Sequence, residues 1–147
     1  MENAKRIRAP TQLTPELTTG IEEIDSQHRY FLDLVHAAEA LSKNPESEAA
    51  RTLLLEISRY AQCHFTYEET MMTVYDYPDR DQHVAQHAAI LTALKRSIEN
   101  DCVNLAQMRF QLLRWLMAHI PVDDKPLAQF VNARRPSLDD SRAPDET

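Results

Sequence analysis

Apolar residues recur along this chain in alternating steps of three and four, the period that lines one face of an α-helix. Ile21, Ile24, His28, Phe31, Val35 and Ala38 form the first such stripe. Leu54, Ile57, Ala61, His64, Glu68, Met71 and Tyr75 form the second, and His83, His87, Ile90, Leu94 and Ile98 the third. The fourth reads Leu105, Met108, Leu112, Trp115 and His119, with Asp124 five residues beyond. Four amphipathic helices are predicted, each aiming at least one nitrogen or oxygen ligand at a common interior.

Five histidines and two carboxylates therefore fall where an apolar core should be. Burying polar groups without partners costs roughly 1–3 kcal/mol each, and more for a charged carboxylate. Together such costs exceed the marginal stability of a domain of this size. A bound metal removes the conflict, because neutral imidazole and ionised carboxylate are the ligand forms it needs. His83 and His87, four apart, share one helix face and can chelate one ion, a weak signal alone. The full set of His28, His64, Glu68, His83, His87, His119 and Asp124 exceeds what one tetrahedral zinc requires. It suits two ions with carboxylates spanning both. By ligand type alone, manganese or zinc could occupy some of these positions.

Composition fits an ordinary globular chain: 147 residues, 27% charged and 43% hydrophobic. A single glycine and few β-branched runs give strands little support. The expected fold class is all-α, an antiparallel up-down-up-down four-helix bundle with an N-terminal arm. Residues 1–20 are the arm, 21–131 the bundle and 132–147 a flexible tail. Lys43 to Glu46 breaks the first helix from the second, with Ser47 as a cap. Tyr77-Pro78-Asp79 ends the second helix and Asn100-Asp101 the third. The fourth is expected from about Asn104 to His119, where Pro121 interrupts it, and Pro126 marks a further turn before Leu127, Phe130 and Val131.

A net charge of −7 argues against a nucleic-acid partner. Lys5, Arg6 and Arg8 are not followed by an apolar segment, so no signal peptide is expected, and no window approaches the length of a membrane span. Cys63 and Cys102 are two isolated thiols, which fit a reducing cytoplasm. Cys63 points off its stripe and reads as a structural thiol.

The runs Gly20-Ile21 through Ile24-Asp25-Ser26-Gln27-His28, His64-Phe65-Thr66-Tyr67-Glu68-Glu69, Tyr77-Pro78 before His83 and His87, and Trp115-Leu116-Met117-Ala118-His119-Ile120 before Asp124 carry a resemblance. Over roughly residues 13–131 the chain resembles the hemerythrins in their bacterial form. The resemblance implies a non-haem, oxo- or hydroxo-bridged di-iron site that binds O₂ reversibly. It implies that His83, His87 and His119 hold one iron, His28 and His64 the second, and that Glu68 and Asp124 bridge. The second iron then keeps an open position for O₂.

Such a position calls for an apolar surround free of general acids. Phe31, Trp115 and Leu116, one turn from His28 and His119, can supply it, and they read equally well as plain core. Leu13 stands where bacterial relatives often have tryptophan. His36 lies off the seam and reads as a flank histidine. Asp123 competes with Asp124, and the family spacing favours Asp124. Asp25 reads as a helix-start group or as an acceptor for the outer nitrogen of a ligating histidine. Tyr67, Tyr75 and Tyr77 read as amphipathic core-edge residues.

The expected function is O₂ carriage, storage or delivery to a protein recipient. The alternative is a sensing module that reports O₂ or redox state to a signalling partner through the arm or the tail. A di-iron oxidase or peroxidase ranks third, because such sites use Glu-x-x-His pairs and no glutamate here is followed three residues later by histidine.

Overall fold

Two polar side chains start two of the predicted helices. Ser47 Oγ accepts from the Ala50 N–H at 3.2 Å, and Asn104 Oδ1 accepts from the Gln107 N–H at 3.0 Å. In the computed structural model, which describes residues 12–44, 46–99 and 104–135, four long helices follow. They are α1 (Glu22–Leu41), α2 (Glu48–Val74), α3 (Arg80–Glu99) and α4 (Leu105–His119). Helix α1 packs on α2 and α4, and α3 packs on the same two, the neighbour relations of an up-down-up-down bundle. There is no strand among the described residues. Pro45, Asn100, Asp101 and Cys102 lie outside them, as do residues 1–11 of the arm and 136–147 of the tail.

Helix α2 ends three residues earlier than its proline would require. Asp76 adopts φ +51°, and the chain closes with Asp76 N–H to Thr73 O at 3.3 Å and Tyr77 N–H to Met72 O at 2.9 Å. This is the Schellman pattern, and the buried Tyr77 and Met72 supply its apolar contact. Aspartate tolerates the left-handed region better than most residues, so Asp76 stops the helix before Pro78 can.

The prolines expected to break the fourth helix do not break it. After α4 the chain stays helical through a π-turn, Ile120–Asp124, and continues as α5 (Lys125–Asn132). Pro121 and Pro126 each occupy the first turn of their segment, where the missing N–H is not needed. A wider i→i+5 bond, Lys125 N–H to Ile120 O, replaces the α pattern at the junction.

Two apolar clusters fill the bundle. The larger includes Phe31, Val35, Leu54, Ile57, Phe65, Leu94, Met108, Leu112 and Leu116. The smaller comprises Ile21, Ile24, Met71, Met72, Tyr77, Leu127, Ala128 and Val131. Along α1 the two meet between Ile24 and Phe31, where His28 sits; along α2 they meet between Ala61 and Met71, where His64 and Glu68 sit. A polar layer thus separates two dry ones.

The described end of the arm is fastened to the bundle. Both oxygens of Asp25 are engaged: Oδ1 by the Thr19 N–H (2.8 Å) and hydroxyl (2.7 Å), Oδ2 by the Gly20 N–H (3.2 Å). Gly20 holds φ +92°, open to glycine without a Cβ clash. Leu17 is buried in the larger cluster, and Lys125 Nζ donates to Pro15 O at 3.0 Å.

Candidate metal centre

Each of the four helices and the π-turn contributes to the polar layer. His28 comes from α1, His64 and Glu68 from successive turns of α2, His83 and His87 from successive turns of α3, and His119 from the last position of α4. Asp124 arrives by way of the π-turn. In a regular α-helix, residues five apart point about 140° away from each other. The wider turn brings Asp124 back over His119, with Nε2 to Oδ1 at 3.0 Å. None of the seven side chains is more than 3% exposed.

The two carboxylates stand between two groups of imidazoles. Asp124 Oδ1 lies 3.0 Å from Nε2 of both His83 and His119, while Oδ2 lies 3.1 Å from His28 Nε2. Glu68 Oε1 lies 2.7 Å from His64 Nε2 and 3.9 Å from His87 Nε2; Oε2 lies 3.6 Å from His83 Nε2. Ligand atoms of Glu68, His83, His87, His119 and Asp124 all lie within 4.8 Å of one another, and so do those of His28, His64, Glu68 and Asp124. The carboxylates belong to both sets.

These approaches are close but are not hydrogen bonds. Both oxygens of Glu68 and of Asp124, and Nε2 of His28, His83, His87 and His119, are buried with no hydrogen-bond partner. Nitrogen and carboxylate oxygen atoms converging on one point with no hydrogen-bond partner form the donor set a cation satisfies.

Electrostatics favour the same use. Burial pushes the Asp124 carboxyl up, but its contacts with His119, His28 and His83 hold it well below its ordinary value. Burial and Asp124 push Glu68 up, and the charge and contact of His64, with His83, bring it net below. Burial drives His87 down to about 3, so this imidazole stays neutral. His83 moves the other way, to about 9: burial opposes its charge, and Asp124 and Glu68 override burial. At neutral pH a metal must displace that proton.

The outer nitrogens of His64 and His87 have hydrogen-bond partners that the sequence alone does not reveal, and that of His119 has a carboxylate nearby. His87 Nδ1–H donates to Glu69 Oε1 at 3.0 Å, and His119 Nδ1 lies 3.0 Å from Asp123 Oδ2. His64 Nδ1–H donates to Gln27 Oε1 at 2.5 Å. Asp25 is not among these acceptors, since Thr19 and Gly20 consume it. Asp123 and Asp124 thus take separate places, one behind His119 and one in the cluster.

Aromatic rings wall the layer. Phe65 stacks on His87 (centroids 4.0 Å, 11°) and Trp115 on His119 (4.0 Å, 17°), with the two walls edge to face at 5.5 Å. Phe31 meets His64 edge-on at 5.4 Å, and Leu116 is buried in the larger cluster. Phe65 lies off the stripe that carries His64, on a second one of alternating fours and threes formed by Ala61, Phe65, Glu68 and Met72. His36 is half-buried and lies outside the cluster; Cys63 is exposed and reduced.

Five imidazoles and two shared carboxylates inside a four-helix bundle define a class: helical proteins with a buried histidine–carboxylate metal-binding cluster. Within that class the chain belongs to the hemerythrin family, since residues 19–131 match the Hemerythrin HHE cation binding domain. It is similar to a bacteriohemerythrin of Stenotrophomonas maltophilia, 28% identical over 80% of this chain and 79% of the relative. A bacteriohemerythrin of Pseudomonas aeruginosa is 28% identical over 84% of this chain and 80% of its own length. One from Clostridium acetobutylicum is 23% identical over 75% and 92%.

Proposed function

We propose that this protein binds O₂ reversibly at a pair of irons held in the polar layer. His83, His87 and His119 hold one ion, His28 and His64 the other, and Glu68 and Asp124 bridge them. The observation that carries this reading is that two carboxylates are common to two sets of imidazoles that differ by one. The smaller set leaves a position for an exchangeable ligand. An iron pair supplies two electrons that O₂ can take up and return.

The protein's part is to keep that exchange reversible. Phe31, Trp115 and Leu116 are the residues we assign to the O₂ pocket, with Phe65 beside them, and none is a general acid. Water and acids are thereby held away from the reacting centre. Asp124 and Glu68 stay ionised, and the outer-nitrogen bonds of His64 and His87 keep each Nε2 free to ligate. Thr19 and Gly20, at the described end of the 1–20 arm, are fastened to the 21–131 bundle through Asp25, and the protein acts as a carrier rather than an enzyme. No helix among the described residues is long and apolar enough to cross a membrane, which accords with a cytoplasmic carrier.

The test is the optical spectrum of the anaerobically reduced, iron-loaded protein before O₂, after it and after its removal. Colour that comes with O₂ and leaves with it supports carriage. Irreversible oxidation, or no change, overturns it.

A further inference from the structure

The acceptors behind the histidines are not alike. Glu69 accepts the His87 Nδ1–H, and Asp123 Oδ2 lies 3.0 Å from His119 Nδ1 as a nearby charge without a hydrogen bond. Behind His64 stands a neutral amide, that of Gln27. His28 Nδ1 has no hydrogen-bond partner, as His83 Nδ1 and His119 Nδ1 have none, and the acid nearest it along α1, Asp25, is hydrogen-bonded to Thr19 and Gly20 and reaches His28 only through its charge. Among the described residues, the two-histidine half therefore has no anionic acceptor behind its imidazoles.

An acceptor on the outer nitrogen does two things. It fixes which ring nitrogen carries the proton, and it raises the basicity of the other. An amide oxygen does the first as well as a carboxylate and the second less, because it brings no negative charge. Gln27 is well placed for the first role. Its backbone carbonyl accepts the Tyr60 hydroxyl at 3.3 Å, tying it to α2, while its side chain spans from α1 to His64.

Resting on the di-iron reading above, we propose that Gln27 is a positioning residue that holds His64 in its ligating tautomer while leaving that half of the site poorer in charge. The half built on His28 and His64 is then the more easily reduced of the two. Both ions must return to the reduced form when ligand leaves, and this bias places the readier of the two on the half with the free position.

Two variants of the full chain test this. Anaerobic titration with ferrous ion against a competing chelator measures the affinity of each of the two ions. Spectroelectrochemistry of the loaded protein measures the midpoint potential. Gln27→Ala is expected to weaken the second ion ten- to hundred-fold. Gln27→Glu is expected to retain both ions and to shift the potential negative, a change that loss of packing alone would not give. Second-ion affinity unchanged in Gln27→Ala, or a potential unmoved in Gln27→Glu, overturns the assignment while leaving the di-iron reading intact. Should Gln27→Ala lack its helical circular dichroism, the potential of Gln27→Glu decides alone. Fewer than two ferrous ions on the unsubstituted protein overturns both.

Discussion

On the side of His83, His87 and His119, rings and charges crowd the imidazoles: Phe65 and Trp115 lie flat on two of them, and Glu69 and Asp123 stand behind the same two. On the side of His28 and His64 no phenyl or indole ring lies flat: Phe31 meets His64 edge-on at 5.4 Å and Phe65 is tilted to it at 5.6 Å, and the partner is an amide. Ring stacking on His87 and His119 and the Glu69 hydrogen bond on His87 restrict rotation, so the first half is a clamp of nearly fixed geometry. The second has fewer imidazoles and looser walls. A site that must hold its ions permanently and a ligand briefly needs both kinds of surroundings.

Removing what the halves share should have the largest effect. Glu68→Ala is expected to abolish binding of at least one iron per chain, by metal analysis of the purified variant. Two irons with an unaltered spectrum would take Glu68 out of the site. Next in size is the wall of the tighter half. Phe65→Ala empties a buried aromatic position and is expected to destabilise the fold by about 3–5 kcal/mol in urea unfolding. It should also weaken the ion at His87 more than the ion at His64, and equal weakening would mean that the walls do not distinguish the halves.

A smaller substitution makes the halves more alike. Glu69→Gln places an amide behind His87, as Gln27 is behind His64, and is expected to lower affinity at the three-histidine half ten- to hundred-fold in chelator competition. An unchanged affinity would mean that the carboxylate contributes no basicity. Smallest is a change that touches neither half. Gly20→Ala forces a Cβ onto φ +92° and is expected to cost about 1 kcal/mol while two irons remain; loss of metal would show that the arm reaches the centre.

The fold and six of the inward groups, all but Asp124, were legible because they follow from period alone. Steps of three and four give a face, and an ionisable residue on that face is conspicuous. Helix ends were less legible. Asp76 stops α2 by adopting a left-handed conformation that no stripe records, and Pro121 and Pro126 read as breaks although each sits in a first turn, where proline is tolerated. The spacing of His119 and Asp124 makes sense only through a π-turn, which α periodicity places on the wrong face. Gln27 and Glu69 were invisible for another reason: their partners lie on different helices, and the crossing of two helices is not written in either one.

The π-turn has a consequence for how this chain can change over generations. Rewinding Ile120–Asp124 to α geometry at its present length would rotate every later residue by about 100°, swinging Asp124 out of the layer and taking Leu127, Ala128 and Val131 out of the smaller core together. Losing one residue along with the wide turn would instead set Asp124 four residues from His119 and keep the later residues on their present faces. Length and winding are therefore expected to change together in this segment: five residues with a wide turn, or four with α winding, present the same face.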